Sequence, residues 1–139
     1  MYLSQLSISN FRCFEEASEV ITFNPGLTAL VGENDAGKTA IIDAIRYALG
    51  TTDLEWIRVQ ESDFHYAKTS NPINIKCKFE SLSKADESAF LEYLTYEDQL
   101  DGTIKPVLHI NWSARQHDAG GSSARSYVKT EVRSGKESE

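Results

Sequence analysis

The residues best equipped for chemistry are Gly32, Glu33, Asn34, Asp35, Ala36, Gly37, Lys38 and Thr39. They fit the pattern G-x-x-x-x-G-K-[ST] at every fixed position. Glycine at both ends lets the backbone turn tightly, so that successive N–H groups converge on one anion. The pattern therefore predicts a loop that cradles a polyphosphate. Lys38 is placed to reach the β- and γ-phosphates, and the Thr39 hydroxyl is placed to ligate Mg²⁺.

Such a loop works only between a strand and a helix, and both flanks read that way. Leu27–Val31 is an apolar, partly β-branched run, as expected of a buried parallel strand. After the loop, Ile41, Ala44, Ile45, Ala48 and Leu49 recur at helical spacing on one face. Gly50 is a natural helix stop. The helix N-terminus adds its partial positive charge beside the bound phosphates.

Other elements follow from periodicity. Leu6 and Ile8 alternate with Ser7 and Ser9, and Val20–Phe23 forms a second apolar run, so an antiparallel pair is expected ahead of the loop's own strand. Residues 51–71 read as a long polar loop with one short element. Ile73, Ile75, Cys77 and Phe79 alternate with Asn74, Lys76 and Lys78, which predicts a half-buried strand. Residues 85–96 read as a helix on the spacing of Phe90, Leu91 and Leu94, and 98–102 as a turn. Strands are expected around Val107–Trp112 and Tyr127–Val132, joined by a flexible connection at 120–123, and the polar tail from Ser134 should fray.

Size and charge bound the rest. A chain of 139 residues suits one domain. No apolar run approaches the roughly 20 residues that span a bilayer, and the N-terminus carries no signal-type stretch. Cys13 and Cys77 have no metal spacing, and both fall in expected strands. They read as buried, reduced thiols of a cytoplasmic protein. A net charge of −7 argues against indiscriminate nucleic-acid binding by this chain alone. Its basic residues Lys76, Lys78, Arg115, Arg125, Lys129 and Arg133 are dispersed along strands. They read either as ordinary outward-facing charges or as a basic edge for DNA.

Two segments together carry a family resemblance. Leu6-Ser7-Ile8-Ser9-Asn10-Phe11-Arg12-Cys13-Phe14 and Leu30–Thr39, running into Ile42-Asp43-Ala44-Ile45, resemble the N-terminal lobe of RecF/SMC-like ABC-type ATPases. The Gly-Glu-Asn-Asp form of the loop looks most like the OLD family, ATPases fused to a C-terminal Toprim nuclease domain. The wider branch commonly has Gly where this chain has Asp35. The resemblance implies an α/β fold: a P-loop NTPase with an ABC-ATPase-like N-terminal lobe, its antiparallel strands beside the nucleotide-binding core. It implies ATP and Mg²⁺ as cofactors, and a parent that acts on DNA (in nuclease, repair or phage-defence work) as a homodimer. It also brings Arg12 near the phosphates or ribose of the nucleotide. The bare residue reading leaves Arg12 as a surface arginine between two core phenylalanines, Phe11 and Phe14.

The same resemblance defines what is not seen in residues 1–139: no apolar strand ending in paired acids, no Ser-Gly-Gly signature, no Toprim acids. The chain is therefore expected to be the N-terminal part of an ATPase domain, with the C-terminal half and the Toprim domain as missing partners. Little or no turnover is expected from it alone, and a non-catalytic nucleotide-binding module is the alternative. Gln60 reads as a solvated loop residue and Asp63 as a capping or turn aspartate. His65, His109 and His117 read as structural or solvated.

Overall fold

The computed structural model describes residues 1–16, 19–33, 37–50, 59–67, 69–117 and 127–136. Asn34, Asp35 and Ala36 of the loop, Trp56, Ile57, Arg125, the connection at 120–123 and the last three residues lie outside the described residues.

The alternating patterns become strands. β1 (Tyr2–Ser9) pairs antiparallel with β2 (Glu19–Thr22) on one side and with β3 (Ile73–Glu80) on the other. β3 pairs with the long β5 (Ile104–His117), whose first part pairs with β4 (Leu94–Asp98) and whose second part pairs with β6 (Tyr127–Ser134). The result is one six-stranded sheet in the order β2-β1-β3-β5-β4, with β6 also on β5. Every pairing is antiparallel, which local alternation can specify without a crossover.

Period-two alternation gives this sheet two unlike faces. Leu6, Ile8, Ile73, Ile75, Cys77, Trp112 and Ala114 are buried on one face, under the helix α1 (Lys38–Leu49). The helix presents Ala40, Ala44 and Ala48 inward, and these small side chains let its backbone lie close to the sheet. Ile41 and Ile45 flank this stripe, whereas Leu49 is exposed. The buried face of α1 is thus rotated away from the expected one, because Ala rather than Ile fits the narrow helix–sheet gap. Burying each Leu, Ile or Phe of this core contributes about 1.5–3 kcal/mol. Burial raises the Cys77 thiol to about 11. Gly50 ends α1 in the left-handed conformation, as expected of a helix stop. Among the described residues, no helix is long and apolar enough to cross a membrane.

Three expectations need correction. Leu27–Val31 is not a buried strand: none of it has ladder partners among the described residues, and Leu27 is 100% and Val31 91% exposed. A parallel strand needs parallel neighbours, and the described sheet is wholly antiparallel. The helix expected over 85–96 is a short α2 (Lys84–Ala89), a 3-10 turn at Leu91–Tyr93, and then β4. Ser83 and Asp86 form a capping box that starts α2. Leu94–Asp98, with the β-branched Thr95 and the aromatic Tyr96, is drawn off into the hairpin with β5, which turns at Gly102 with φ 82°. Cys13 lies in an exposed turn after β1 and is not buried.

Candidate nucleotide site

The loop residues that the structure describes sit where a strand-like segment meets α1. Gly37 adopts φ 89°, ψ 8°, a left-handed conformation open to glycine, and passes directly into the helix at Lys38. A Cβ at Gly37 would also lie a tight 3.0 Å from the Cys13 sulfur. Glycine is therefore favoured here by its dihedrals and by its close approach to the turn after β1.

The first turn of α1 carries no acidic residue and no side-chain cap. Its leading N–H groups, beginning at Lys38 and Thr39, are thus orphan donors aimed at the loop. Aligned peptide dipoles make this end partly positive. Lys38 Nζ folds back onto the Gly32 carbonyl, closing the loop across its mouth. Thr39 is exposed at the second helical position. This set of donors suits a phosphate chain, and a Mg²⁺ ion there would take one protein ligand, the Thr39 hydroxyl. No cluster of three metal-ligating side chains occurs among the described residues.

Arg12 sits beside this loop, in a network that the sequence pattern did not disclose. Its Nε donates to Asp63 Oδ1 at 3.0 Å, and its Nη1 donates to Asp43 on α1. Asp63 is buried, and its second oxygen accepts from Tyr47 at 3.2 Å and from the Gln60 N–H at 2.9 Å. The guanidinium lies 4.9 Å from the centre of the Phe11 ring. Burial works to lower the Arg12 pKa, but the bonds from Asp43 and Asp63 together outweigh it and raise the value. Burial, then the charge of Asp63, raises the Tyr47 phenol.

The backbone is held as firmly. Arg12 has φ 50°, sparsely populated for a residue with a side chain. Its N–H donates to the Asp63 carbonyl at 2.7 Å, and its carbonyl is 2.7 Å from His65 Nδ1. Phe11 bridges to Phe64, and both rings are buried. Arg12 thus ties the turn after β1 to α1 and to the 3-10 turn Glu61–Asp63. Asp63 is a capping residue, as expected, and is also the buried anchor of this knot. Gln60 is exposed. His65 is structural, and His109 hydrogen-bonds Glu97 at 3.1 Å. Asp43 and Tyr47 escaped sequence reasoning. Their spacing of four on α1 is the only local signal, and what they meet is set by residues 31 and 16 positions away.

A family model described as an AAA domain (AAA_23) matches residues 5–133. The DNA double-strand break repair Rad50 ATPase of Halobacterium salinarum is 27% identical over 121 residues, covering 80% of this chain and 14% of that protein. The chromosome partition protein Smc of Lactiplantibacillus plantarum is 33% identical over 96 residues, covering 67% of this chain and 8% of that protein. This chain therefore spans only a small part of the length of these relatives. A solved chain from work on the ATP-driven dimerization and DNA-stimulated activation of SMC ATPases superposes with a TM-score of 0.56 at 19% identity. It covers 98% of this chain and 73% of that one, and it shows the fold. On the span of the AAA-domain match and the shared architecture, the chain belongs to the AAA_23 family of AAA domains and has the fold of the N-terminal lobe of an SMC/Rad50-like ABC-type ATPase.

Proposed function

We propose that this chain is an ATP-binding lobe, with the polyphosphate held by Gly32–Thr39. The observation that carries the reading is the junction of left-handed Gly37 with an uncapped helix whose first two residues are Lys38 and Thr39. Lys38 leaves the Gly32 carbonyl for the β- and γ-phosphates, a stronger acceptor for an ammonium group than a neutral oxygen. Glu33, Asn34, Asp35 and Ala36 complete the phosphate-loop motif in the sequence. Mg²⁺, held by Thr39, would neutralise phosphate charge. Arg12 contributes by orientation: its ion pairs with Asp43 and Asp63 fix α1 beside the turn after β1.

In the parent protein this lobe would be completed by a C-terminal half, and the exposed Leu27–Val31 segment supports that reading. The finer assignment is an OLD-like ATPase, with a Toprim nuclease domain and a homodimer that couples ATP to DNA processing. It rests on the Gly-Glu-Asn-Asp form of the loop. In that reading hydrolysis needs acids from outside residues 1–139, so the chain alone binds ATP and turns it over barely above background.

Calorimetry with Mg-ATP on the wild type and Lys38→Ala tests the assignment. Binding by the wild type and at least tenfold weaker binding by the variant support it. Equal affinities would remove Lys38 from the site. Turnover of about one per second or faster would show that a catalytic carboxylate is present in this chain after all.

A further inference from the structure

β6 lies at an edge of the sheet: among the described residues its ladder runs to β5 alone. One bond fixes the direction of its backbone groups. Just past β6, the Gly135 N–H donates to the His109 carbonyl of β5 at 3.2 Å. In an antiparallel pair, hydrogen-bonded and non-hydrogen-bonded positions alternate. The β5–β6 register runs unbroken from Ile110–Ser134 to His117–Tyr127. Tyr127, Lys129, Glu131 and Arg133 therefore bond β5. Val128, Thr130 and Val132 direct their N–H and C=O groups outward, and such an edge is a template for a further strand.

The residues of β6 are self-complementary about Thr130. With a second β6 antiparallel on that edge and Thr130 opposite Thr130, Val128 meets Val132, Lys129 meets Glu131 and Tyr127 meets Arg133. Each pair recurs across the two-fold axis. Val128, Thr130 and Val132, which carry the free groups, become the hydrogen-bonded positions. Lys129–Glu131 and Tyr127–Arg133 become the non-hydrogen-bonded ones, where side chains lie closest. Opposite charges, and a guanidinium beside a ring, both favour such pairs. Other registers are worse. Centring on Lys129 sets Lys129 against itself. Centring on Glu131 sets Glu131 against itself and Lys129 against Arg133. Like charges directly opposite are destabilising. Within one chain Glu131 already lies 3.5 Å from Lys129 and 3.1 Å from Arg133, so the second copy's Lys129 extends an alternating row. On the other face, an apolar hollow of about 230 Å³ opens beside the edge, lined in part by Phe90, Tyr93, Ile110 and Val132. Val132 is 63% exposed there, and the second copy's Val128 would cover it.

From the outward backbone groups and this self-complementary register we propose that β6 is a homodimerisation edge. Two copies of this chain pair β6 to β6, antiparallel and centred on Thr130, into one continuous sheet. The interface uses no nucleotide and no residue of Gly32–Thr39, so it stands apart from the proposed phosphate site. It is smaller than the roughly 1,200 Å² of stable complexes, which makes half-association at about 100 µM the expected strength.

Sedimentation equilibrium of the 139-residue chain without nucleotide tests this, from about 10 to about 500 µM chain. The net charge of −7 on each copy opposes association, so salt is held at about 150 mM to screen it. A monomer–dimer equilibrium is expected, changed less than twofold by Lys38→Ala or by Mg-ATP. Thr130→Pro removes an outward N–H and none that bonds β5, so it should abolish the dimer and leave the fold intact. Lys129→Glu alone and Glu131→Lys alone each set like charges opposite and should each weaken self-association at least tenfold. An equimolar mixture of these two variants sets opposite charges at both positions again and should restore dimers. A wild type that stays monomeric to about 500 µM, or that dimerises only with Mg-ATP, overturns the proposal. So does a dimer that Thr130→Pro, shown to be folded by its thermal melt, leaves unchanged. A mixture that stays monomeric overturns the register centred on Thr130.

Discussion

The sheet around β1, β3 and β5 and the stretch from Leu27 to Val31 are both apolar in sequence, yet they meet opposite fates. In the sheet, Leu6, Ile8, Ile73 and Ile75 are fully buried, and each strand finds its partners within the described chain. In the other stretch, Leu27 and Val31 stand in solvent without a ladder. The difference lies in the kind of pairing each requires. Antiparallel strands can satisfy one another through hairpins and short returns, whereas a parallel strand depends on neighbours brought by crossovers. Apolar character alone therefore marks a segment as destined for burial without saying what buries it.

The comparison is broken most severely at Phe11, where the sheet side meets the loop side. Phe11→Ala empties a fully buried site between Phe64 and Tyr47, and should cost about 3–5 kcal/mol in urea denaturation. A loss below about 1 kcal/mol would mean that this core collapses around the gap.

Arg12→Ala comes next. It strips the buried Asp63 of its cation and α1 of its tie to the turn after β1, for an expected loss of about 2 kcal/mol. The midpoint of chemical unfolding reads it. Lys in place of Arg12 should recover only part, because one ammonium cannot reproduce a fork that bonds Asp43 and Asp63 together.

A smaller effect separates the sheet's rim from its core. The hydrogen bond from Lys78 lowers the Glu97 pKa, with His109 adding to it. A depressed carboxylate pKa contributes stability that is full above the unfolded value of 4.5 and is lost as pH falls through the lower native value. Glu97→Gln should therefore cost up to about 1 kcal/mol near neutrality and little once pH falls below the native value, so that the acid limb of the stability profile is flatter than that of the wild type. Thermal melts across that range measure the difference.

The smallest effect is expected where the sequence looks most core-like. Leu27→Ser should change the stability of this chain by no more than about 0.5 kcal/mol, since the side chain makes no buried contact. A loss comparable to that of a sheet residue would mean that the segment packs in solution.

The sheet was legible wherever a strand alternates. Leu6 and Ile8, and Ile73, Ile75 and Cys77, announce both their strands and their buried face. Gly37 and Gly50 mark the two ends of α1. The failures share a cause. Nothing local tells the 85–96 segment that β5 offers free backbone to Leu94–Tyr96, and nothing local says that the alanines of α1 sit deepest, with Ile41 and Ile45 at their flanks. The candidate site was legible as a motif, from Gly32 to Thr39. Its support was not, because Arg12, Asp43 and Asp63 are joined by folding across 31 and 51 residues.

The most direct test of the central claim is a backbone amide titration of isotope-labelled protein with Mg-ATP. The account requires shifts at Gly37, Lys38, Thr39 and Ala40, where the orphan donors of α1 meet phosphate, and their loss in Lys38→Ala. Lys129 and Arg133 should stay unmoved. Silence at residues 37–40 at saturating nucleotide, or shifts confined to β5 and β6, would contradict it.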